Sequence, residues 1–347
     1  MMSAVSVVMP THNGAAFVRD SLQSILNQTR LPHEIVVVDD CSSDSTNAVV
    51  ESAARQSPIP IRLFQLPRNS GGPSRPLNRA IEAAKGNVIV ILEQDDLMRP
   101  SRIERQLKAV LEYPECSLVT GHFALLGQDE GDMRPLWPVP QFHDLRAHID
   151  KGSEVSVVAS QIAFVALLNR NFGINSSFCF TKSWFGKIGG FNEGVRTCPD
   201  LDFILRAAEL GPIAIVNEII LDYRWRVDSL YRRHVDRSTL EVMMVRLRAA
   251  SRRQDWVGES LPGIRYSALM LVRSGLRLGD STAISALVEM FCRHGGLGVL
   301  GRSVGNTARR TGDAFRKLSP DDRLKTESGD PNAVPRKAEN ESARGGV

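Results

Sequence analysis

Three short apolar runs in the first hundred positions each end in polar or acidic residues. Val5-Ser-Val-Val-Met9 leads into Pro10-Thr-His-Asn-Gly14, Glu34-Ile-Val-Val-Val38 into Asp39-Asp40, and Val88-Ile-Val-Ile-Leu92 into Glu93-Gln-Asp-Asp96. Runs this short, rich in β-branched residues and bounded by turn formers, predict buried strands. Helical spacing fills the intervals. Phe17, Val18, Leu22, Ile25 and Leu26 share one face, and Cys41–Thr46 is a run of turn and cap residues before a helix through Ala54. Pro58 and Pro60 bound a third strand, Ile61–Leu66; Ser74–Ala84 reads as helix stopped by Gly86, and Pro100 opens a helix reaching about Tyr113. Such alternation predicts an α/β protein of crossover units on a central, mostly parallel twisted sheet flanked by helices.

The pattern is less regular over 115–230. Leu118–Thr120, Phe123–Leu126, Phe178–Phe180 and Ile213–Val216 read as strands, Gln128–Asp132 as a turn and Trp137–Pro140 as surface loop. Residues 153–170 read as helix with a strand-like start, Lys182–Ile188 as a helical turn, and Leu201–Leu210 as helix ended by Gly211-Pro212. From 236 onward the chain is helical and basic, with helices expected at Val242–Arg248, Tyr266–Arg273 and Thr282–Cys292. The expected organisation is a domain over 1–235, divided into halves 1–125 and 126–235, a helical C-terminal extension over 236–313, and a disordered polar tail over 314–347.

Composition narrows the function classes. The 347 residues carry 43 basic and 39 acidic side chains, a net +4 that is too small to imply nucleic acid as a partner. The five cysteines (Cys41, Cys116, Cys179, Cys198 and Cys292) are scattered, with no CxxC pair, which fits reduced thiols rather than a disulfide framework or a zinc site. No signal-peptide pattern opens the chain, and no apolar run approaches the ~18 residues of a spanning helix. A soluble cytoplasmic protein is expected, with peripheral attachment at the inner face of the membrane left open.

Acids delivered from strand ends are suited to a divalent cation with bound phosphates, since Mg2+ or Mn2+ takes hard oxygen ligands, typically one or two carboxylates plus phosphate oxygens. Glu93 and Asp95 lie on the same side of an extended segment and offer that arrangement; the plainer alternative is a loop start with Asp96 as a helix cap. Further along, Asp200 and Asp202 open a helix. Side chains two apart on a helix point about 200° from each other, so the two cannot share one role unless the helix starts after Asp200, and Asp202 is placed to orient Arg206 at i+4.

Here the chain resembles the inverting family 2 glycosyltransferases of the A-type nucleotide-sugar fold. The matches are Pro10-Thr-His-Asn13, Asp39-Asp-Cys-Ser-Ser-Asp44, Gly72 to Asn78, and Glu93-Gln-Asp-Asp96 for the family's Asp-x-Asp-Asp. Downstream, Lys187-Ile-Gly-Gly-Phe-Asn-Glu193, Pro199-Asp-Leu-Asp-Phe-Ile-Leu-Arg206 and Tyr223-Arg-Trp-Arg226 match in order. The resemblance implies transfer of one sugar from a nucleoside-diphosphate sugar, UDP slightly favoured, to a hydroxyl of a glycan, glycolipid or small-molecule acceptor. By the same resemblance Pro10, Asn13 and Asp40 line base and ribose, with His12 beside them and Asp39 just behind. Arg68 and Asn78 border the donor pocket, Glu93 and Gln94 lie along it, Asp95 holds Mn2+ or Mg2+, Arg226 meets the diphosphate, and Asp200 is the general base. Three positions depart from the family pattern: Glu93 for Asp, Pro199 for Glu, and Arg226 for His. The alternatives are a non-catalytic sugar-nucleotide or glycan-binding protein of the same fold, and a nucleotidyltransferase, although the first loop lacks the Gly- and Lys/Arg-rich cradle a triphosphate wants.

Other features are weaker. Trp137 and Trp184 are candidates to stack on an acceptor sugar, against the commoner packing role of a lone Trp. His122, His143 and His148 lack ligand spacing. The processive Gln-x-x-Arg-Trp segment is absent, since Leu221 stands where it needs glutamine, which favours single addition. The region 240–313 suits an added subdomain or a homodimer surface. Gly296–Lys317 mixes apolar with basic residues, which suits contact with an anionic membrane or equally a solvated basic surface, and its glycines weaken a helix there.

Overall fold

The apolar runs lie side by side. In the computed structural model β1 (Val5–Thr11), β2 (Glu34–Asp39), β3 (Ile61–Gln65) and β4 (Val88–Ile91) are parallel, in the spatial order β3-β2-β1-β4. Val7 faces Ile35 on one side and Val90 on the other. Every residue of β1, β2 and β4 is buried, as strands covered on both faces must be. Helices α1 (Val18–Leu26), α2 (Thr46–Gln56) and α3 (Ser74–Ala83) make the crossovers. The winding reverses at β1, because β2 and β4 flank it on opposite sides. A crevice therefore opens at the C-terminal ends of β1 and β4, where such sheets bind ligands. His12–Gly14 and Glu93–Asp96 meet there.

Residues 4–126, 141–226, 229, 235–253 and 255–256 are described. Beyond β4 the sheet becomes mixed. The elements are β5 (Leu97–Met98), α4 (Arg102–Glu112), β6 (Leu118–Leu125), β7 (Val155–Val158), α5 (Ser160–Asn169), β8 (Cys179–Thr181), α6 (Lys182–Ile188), α7 (Pro199–Leu210), β9 (Ile213–Tyr223) and α8 (Val235–Arg252). β8 is antiparallel to β4 and β6, β6 is parallel to β9, and β9 is antiparallel to β5 and β7. The two strand segments expected around 118–126 form one strand with an irregular register about His122. The strand expected to stop at Val216 continues to Tyr223, because the polar Asn217 is tied in by its side chain, whose Nδ2 donates to Asp150 O and Ser153 O.

The antiparallel setting of β8 matters for the site. The turn before it, Asn175–Ser177, lies at the acidic end of β4, while α6 after it lies at the far end, where Val88 pairs with Thr181. Helix α8 belongs to the same body: Arg252 pairs with Glu209 at 2.6 Å, and Trp256 packs edge-on to Phe164 at 5.4 Å. These residues lie in one unit, Met1–Val288; a second, Glu289–Val347, lies outside the described residues. So do the expected turn at 128–132, Trp137, the helices at 266–273 and 282–292, and the basic segment 296–317. No helix among the described residues is long and apolar enough to cross a membrane.

Candidate active site

The loops after β1, β2 and β4 are laced together before any ligand is considered. Gln94 clamps the first loop at both backbone groups of His12: His12 N donates to its Oε1 at 2.9 Å, and its Nε2 donates to His12 O at 3.0 Å. Asn13 (φ 47°) and Cys41 (φ 61°) both occupy the left-handed region, which is costly for residues with a Cβ. Cross-bonds hold them: Asn13 N donates to Ser42 Oγ, Ser43 N to Asn13 Oδ1, and Gly14 N to Thr46 Oγ1, each at 2.8 Å. A Cβ on Gly14 would fall 2.0 Å from Gln94 Oε1. Gly14→Ala is therefore expected to open the His12–Gln94 clamp and weaken nucleotide binding roughly ten-fold, the scale of an overpacked site. Calorimetry with UDP and GDP checks it.

The structure gathers Pro10, His12, Asn13, Asp40 and Gln94 at one crevice. Asp40 accepts from Ser70 N and Ser70 Oγ, each at 2.9 Å, and its backbone oxygen contacts His12 Nδ1 at 2.9 Å. Asn69 reaches the same imidazole at 3.0 Å. The loop 68–73 thus sits over Asp40, with Arg68 exposed on it. Two of the expected site residues have partners within the chain. Asp39 is 1% exposed, and its carboxylate is taken by Thr11, Ser42 and Asn47, so it braces the turn. Asn78 is committed to the segment before α7: Phe191 N donates to its Oδ1 at 2.8 Å and its Nδ2 donates to Phe191 O at 2.9 Å.

The acids divide their tasks. Glu93 accepts from Asn175 Nδ2 at 3.1 Å, and its own N–H donates to Ser176 Oγ at 3.0 Å. Burial, with the charges of Asp95 and Asp200 nearby, pushes the Glu93 carboxyl up to about 7. Asp95 is raised by burial against the opposing pull of Arg226, whose Nη1 lies 3.1 Å from Asp95 Oδ2. Asp96 is buried and accepts from Arg224 N at 2.9 Å, while Arg224 Nε donates to Asp95 O. The guanidiniums of Arg224 and Arg226 lie 5.1 and 4.5 Å from the Phe17 ring centroid, a cation–π platform at the crevice edge.

Asp200 arrives from the other half of the chain, in the first turn of α7 behind Pro199. It accepts from Leu201 N at 2.8 Å and Asn171 Nδ2 at 3.1 Å, and burial lifts its carboxyl to about 6. Asp202 is engaged by Arg206 at 2.6 Å, as the i+4 spacing predicts, and so is spent on positioning. Glu241 of α8 holds the turn ahead of Asp200, accepting from Thr197 N and Thr197 Oγ1, each at 2.6 Å.

For a divalent cation the donor set is thin but suitable. Among the described residues no three His, Cys, Asp or Glu side chains converge. Asp95 supplies one carboxylate at the crevice, which suffices for Mg2+ or Mn2+ when phosphate oxygens complete the shell.

Sequence reasoning missed Phe17, Asn171, Asn175, Ser176 and Glu241. Their types carry no signature, and only the fold brings them to the acids. Trp184 goes the other way. Its indole N–H donates to Pro114 O at 3.2 Å and Lys187 covers its ring at 4.3 Å, at the end of the sheet opposite the acids. His122 is packed against Phe142 at 4.5 Å, and burial lowers its imidazole to about 4.

Residues 6–172 match the family model for Glycosyl transferase family 2. Those residues, just under half of the chain, are similar to glycosyltransferase family 2. An uncharacterised glycosyltransferase of Rickettsia felis is 28% identical over 226 residues, 65% of this chain but 35% of that relative, so the match spans about a third of its length. The poly(ribitol-phosphate) beta-N-acetylglucosaminyltransferase TarS of Staphylococcus aureus is 33% identical over 105 residues, 30% of this chain and 18% of TarS. The crystal structure of TarS 1–349 with UDP superposes with a TM-score of 0.54 at 20% identity, over 78% of this chain and 72% of that one. The mannosyltransferase PcManGT from Pyrobaculum calidifontis, in complex with GDP-Man and Mn2+, gives 0.53 at 20% identity over 94% and 84%. The chain therefore has the A-type fold of these neighbours.

Proposed function

We propose that this chain is a glycosyltransferase that transfers a single sugar, with inversion, from a nucleoside-diphosphate sugar to an acceptor hydroxyl, with Asp200 as base. The observation that carries this is the arrival of Asp200 at the Glu93–Asp95 strand end. Inversion needs the acceptor hydroxyl to approach opposite the departing diphosphate, with one carboxylate taking its proton as the bond forms. Asp200 is the acid whose bonds, to Leu201 N and Asn171, leave it poised for that role. His12, Asn13 and Asp40 border the nucleoside, and Arg224 and Arg226 flank the diphosphate. Asp95 and the diphosphate oxygens would hold Mn2+ or Mg2+. Such an ion, when bound, neutralises charge on the leaving diphosphate, so no general acid is required there. UDP is the favoured carrier, supported by the TarS–UDP complex, with GDP represented by PcManGT. A cell-surface polysaccharide or glycolipid precursor is the favoured acceptor, with transfer on the cytoplasmic side; the name of TarS supports the polymer class.

The test is release of nucleoside diphosphate from a panel of UDP-, GDP- and dTDP-sugars, with Mn2+, Mg2+ or EDTA. One donor should turn over with the cation and fall silent in Asp95→Ala and Asp200→Ala. Failure of every nucleotide to bind by calorimetry would sink the assignment.

A further inference from the structure

The sequence departure at Arg226 has a geometric counterpart. Its Nη1 lies 3.1 Å from Asp95 Oδ2, with the two side chains only 20% and 23% exposed. Phe17 carries the same guanidinium on its face at 4.5 Å. Arg224, the neighbouring cation, is committed through its backbone N–H to Asp96 and through Nε to Asp95 O. Arg226 is therefore the charge set on the carboxylate that a divalent ion would need. A guanidinium and a divalent ion repel each other across one carboxylate, and they compete for its oxygens. Glu93, the other acid at this strand end, already accepts from Asn175 through Oε1.

We propose that Arg226 is an internal counter-cation that keeps Asp95 closed to the divalent ion until the donor's diphosphate arrives. The proposal rests on Asp95 being the cation ligand, as set out above. The incoming diphosphate offers the guanidinium a further anionic partner, bidentate and strongly bound. It also brings the phosphate oxygens that the cation lacks in the free protein. Arg226 passes from carboxylate to phosphate, Asp95 is released, and ion and donor bind as a linked pair. Linkage makes the coupling reciprocal: whatever factor the nucleotide adds to cation affinity, the cation adds to nucleotide affinity. Arginine suits this role because it stays charged across the working pH range, whereas a histidine could lose its proton and bind the ion itself.

The experiment is a Mn2+ titration of the full chain without nucleotide, read from the electron paramagnetic resonance of free Mn2+. Arg226→Leu is expected to bind Mn2+ roughly ten-fold more tightly than the parent protein, within the usual range of coupling between two ligands. Arg226→Lys, which keeps a charge but lacks the fork, should fall between them. Adding Asp95→Asn should abolish the gain. Equal or weaker Mn2+ binding by Arg226→Leu overturns the proposal, and so does a gain that survives Asp95→Asn. Should circular dichroism show Arg226→Leu unfolded, Arg226→Lys decides alone, with affinity above the parent supporting and affinity unchanged overturning. Calorimetry with UDP and GDP at saturating Mn2+ separates the two levels. Nucleotide binding without an Arg226 effect removes only the counter-cation role, whereas no nucleotide binding removes the glycosyltransferase reading beneath it.

Discussion

Asp200→Asn is expected to lower kcat by roughly 10²- to 10⁴-fold, the usual worth of a positioned base, while leaving donor affinity unchanged. The amide oxygen can still accept from Leu201 N, so the start of α7 should keep its shape; what is lost is the basicity, together with the bond from Asn171 Nδ2. The pH profile carries the sign. A base works when unprotonated, and burial holds the Asp200 carboxyl up at about 6, so kcat should fall about ten-fold per unit as pH drops below that value. Glu93 is the rival, being near enough for the charge of Asp200 to help raise it to about 7. The two separate cleanly. An acid limb near 6 that persists in Glu93→Gln supports Asp200. A limb nearer 7 that disappears in Glu93→Gln would transfer the base to Glu93. The kinetics of full-length protein with the donor found in the panel decide between them.

Much of the first half was legible because its signals are local. Strands buried on both faces read as continuous apolar runs, and a run must end where the chain leaves the sheet, so Pro10–Gly14 and Glu93–Asp96 had to lie at strand ends. What the runs could not reveal is which loops meet. That follows from strand order, and the reversal of winding at β1 is the fact that lets Gln94 clamp His12. The second half was harder because its strands are short, polar at key positions, or antiparallel. β9 passes through Asn217 and Glu218, which break its apolar pattern, and β5 is two residues long. Asn175 and Ser176 reach the acids only because β8 runs antiparallel to β4. The bracing role of Asp39, expected just behind the nucleoside, was hidden for the opposite reason. Two adjacent aspartates at a strand end invite one shared role, yet successive side chains on a strand point to opposite faces, and one faces inward to brace the turn.

Arg102 hides a second layer beneath this site, and Arg102→Met is expected to cost about 3 to 5 kcal/mol of stability. An arginine on a helix is ordinarily solvated. Arg102 is instead 0% exposed, with Nη2 donating to Ile91 O at 2.9 Å and Nε to Gln106 Oε1 at 3.0 Å. Gln106 in turn donates to Ser177 O at 2.8 Å, and Ser177 Oγ pairs with Thr120 Oγ1, so the network ties α4 to the strand end of β4 and the turn before β8. Burial drags the guanidinium down to about 9, and the nearby charge of Asp96 helps to oppose that fall. Methionine preserves most of the volume. Its cost is therefore electrostatic: Ile91 O and Gln106 Oε1 lose their donor, and Asp96, buried beside Asp95 and Glu93, loses a compensating charge. Asp96→Asn in the Arg102→Met background should recover part of the loss, because it removes the charge left unbalanced while keeping an acceptor for Arg224 N. Urea denaturation of the four proteins in this cycle tests the argument. A single-variant loss below about 1 kcal/mol, the worth of an ordinary exposed pair, would show that the buried arginine is a passive filler.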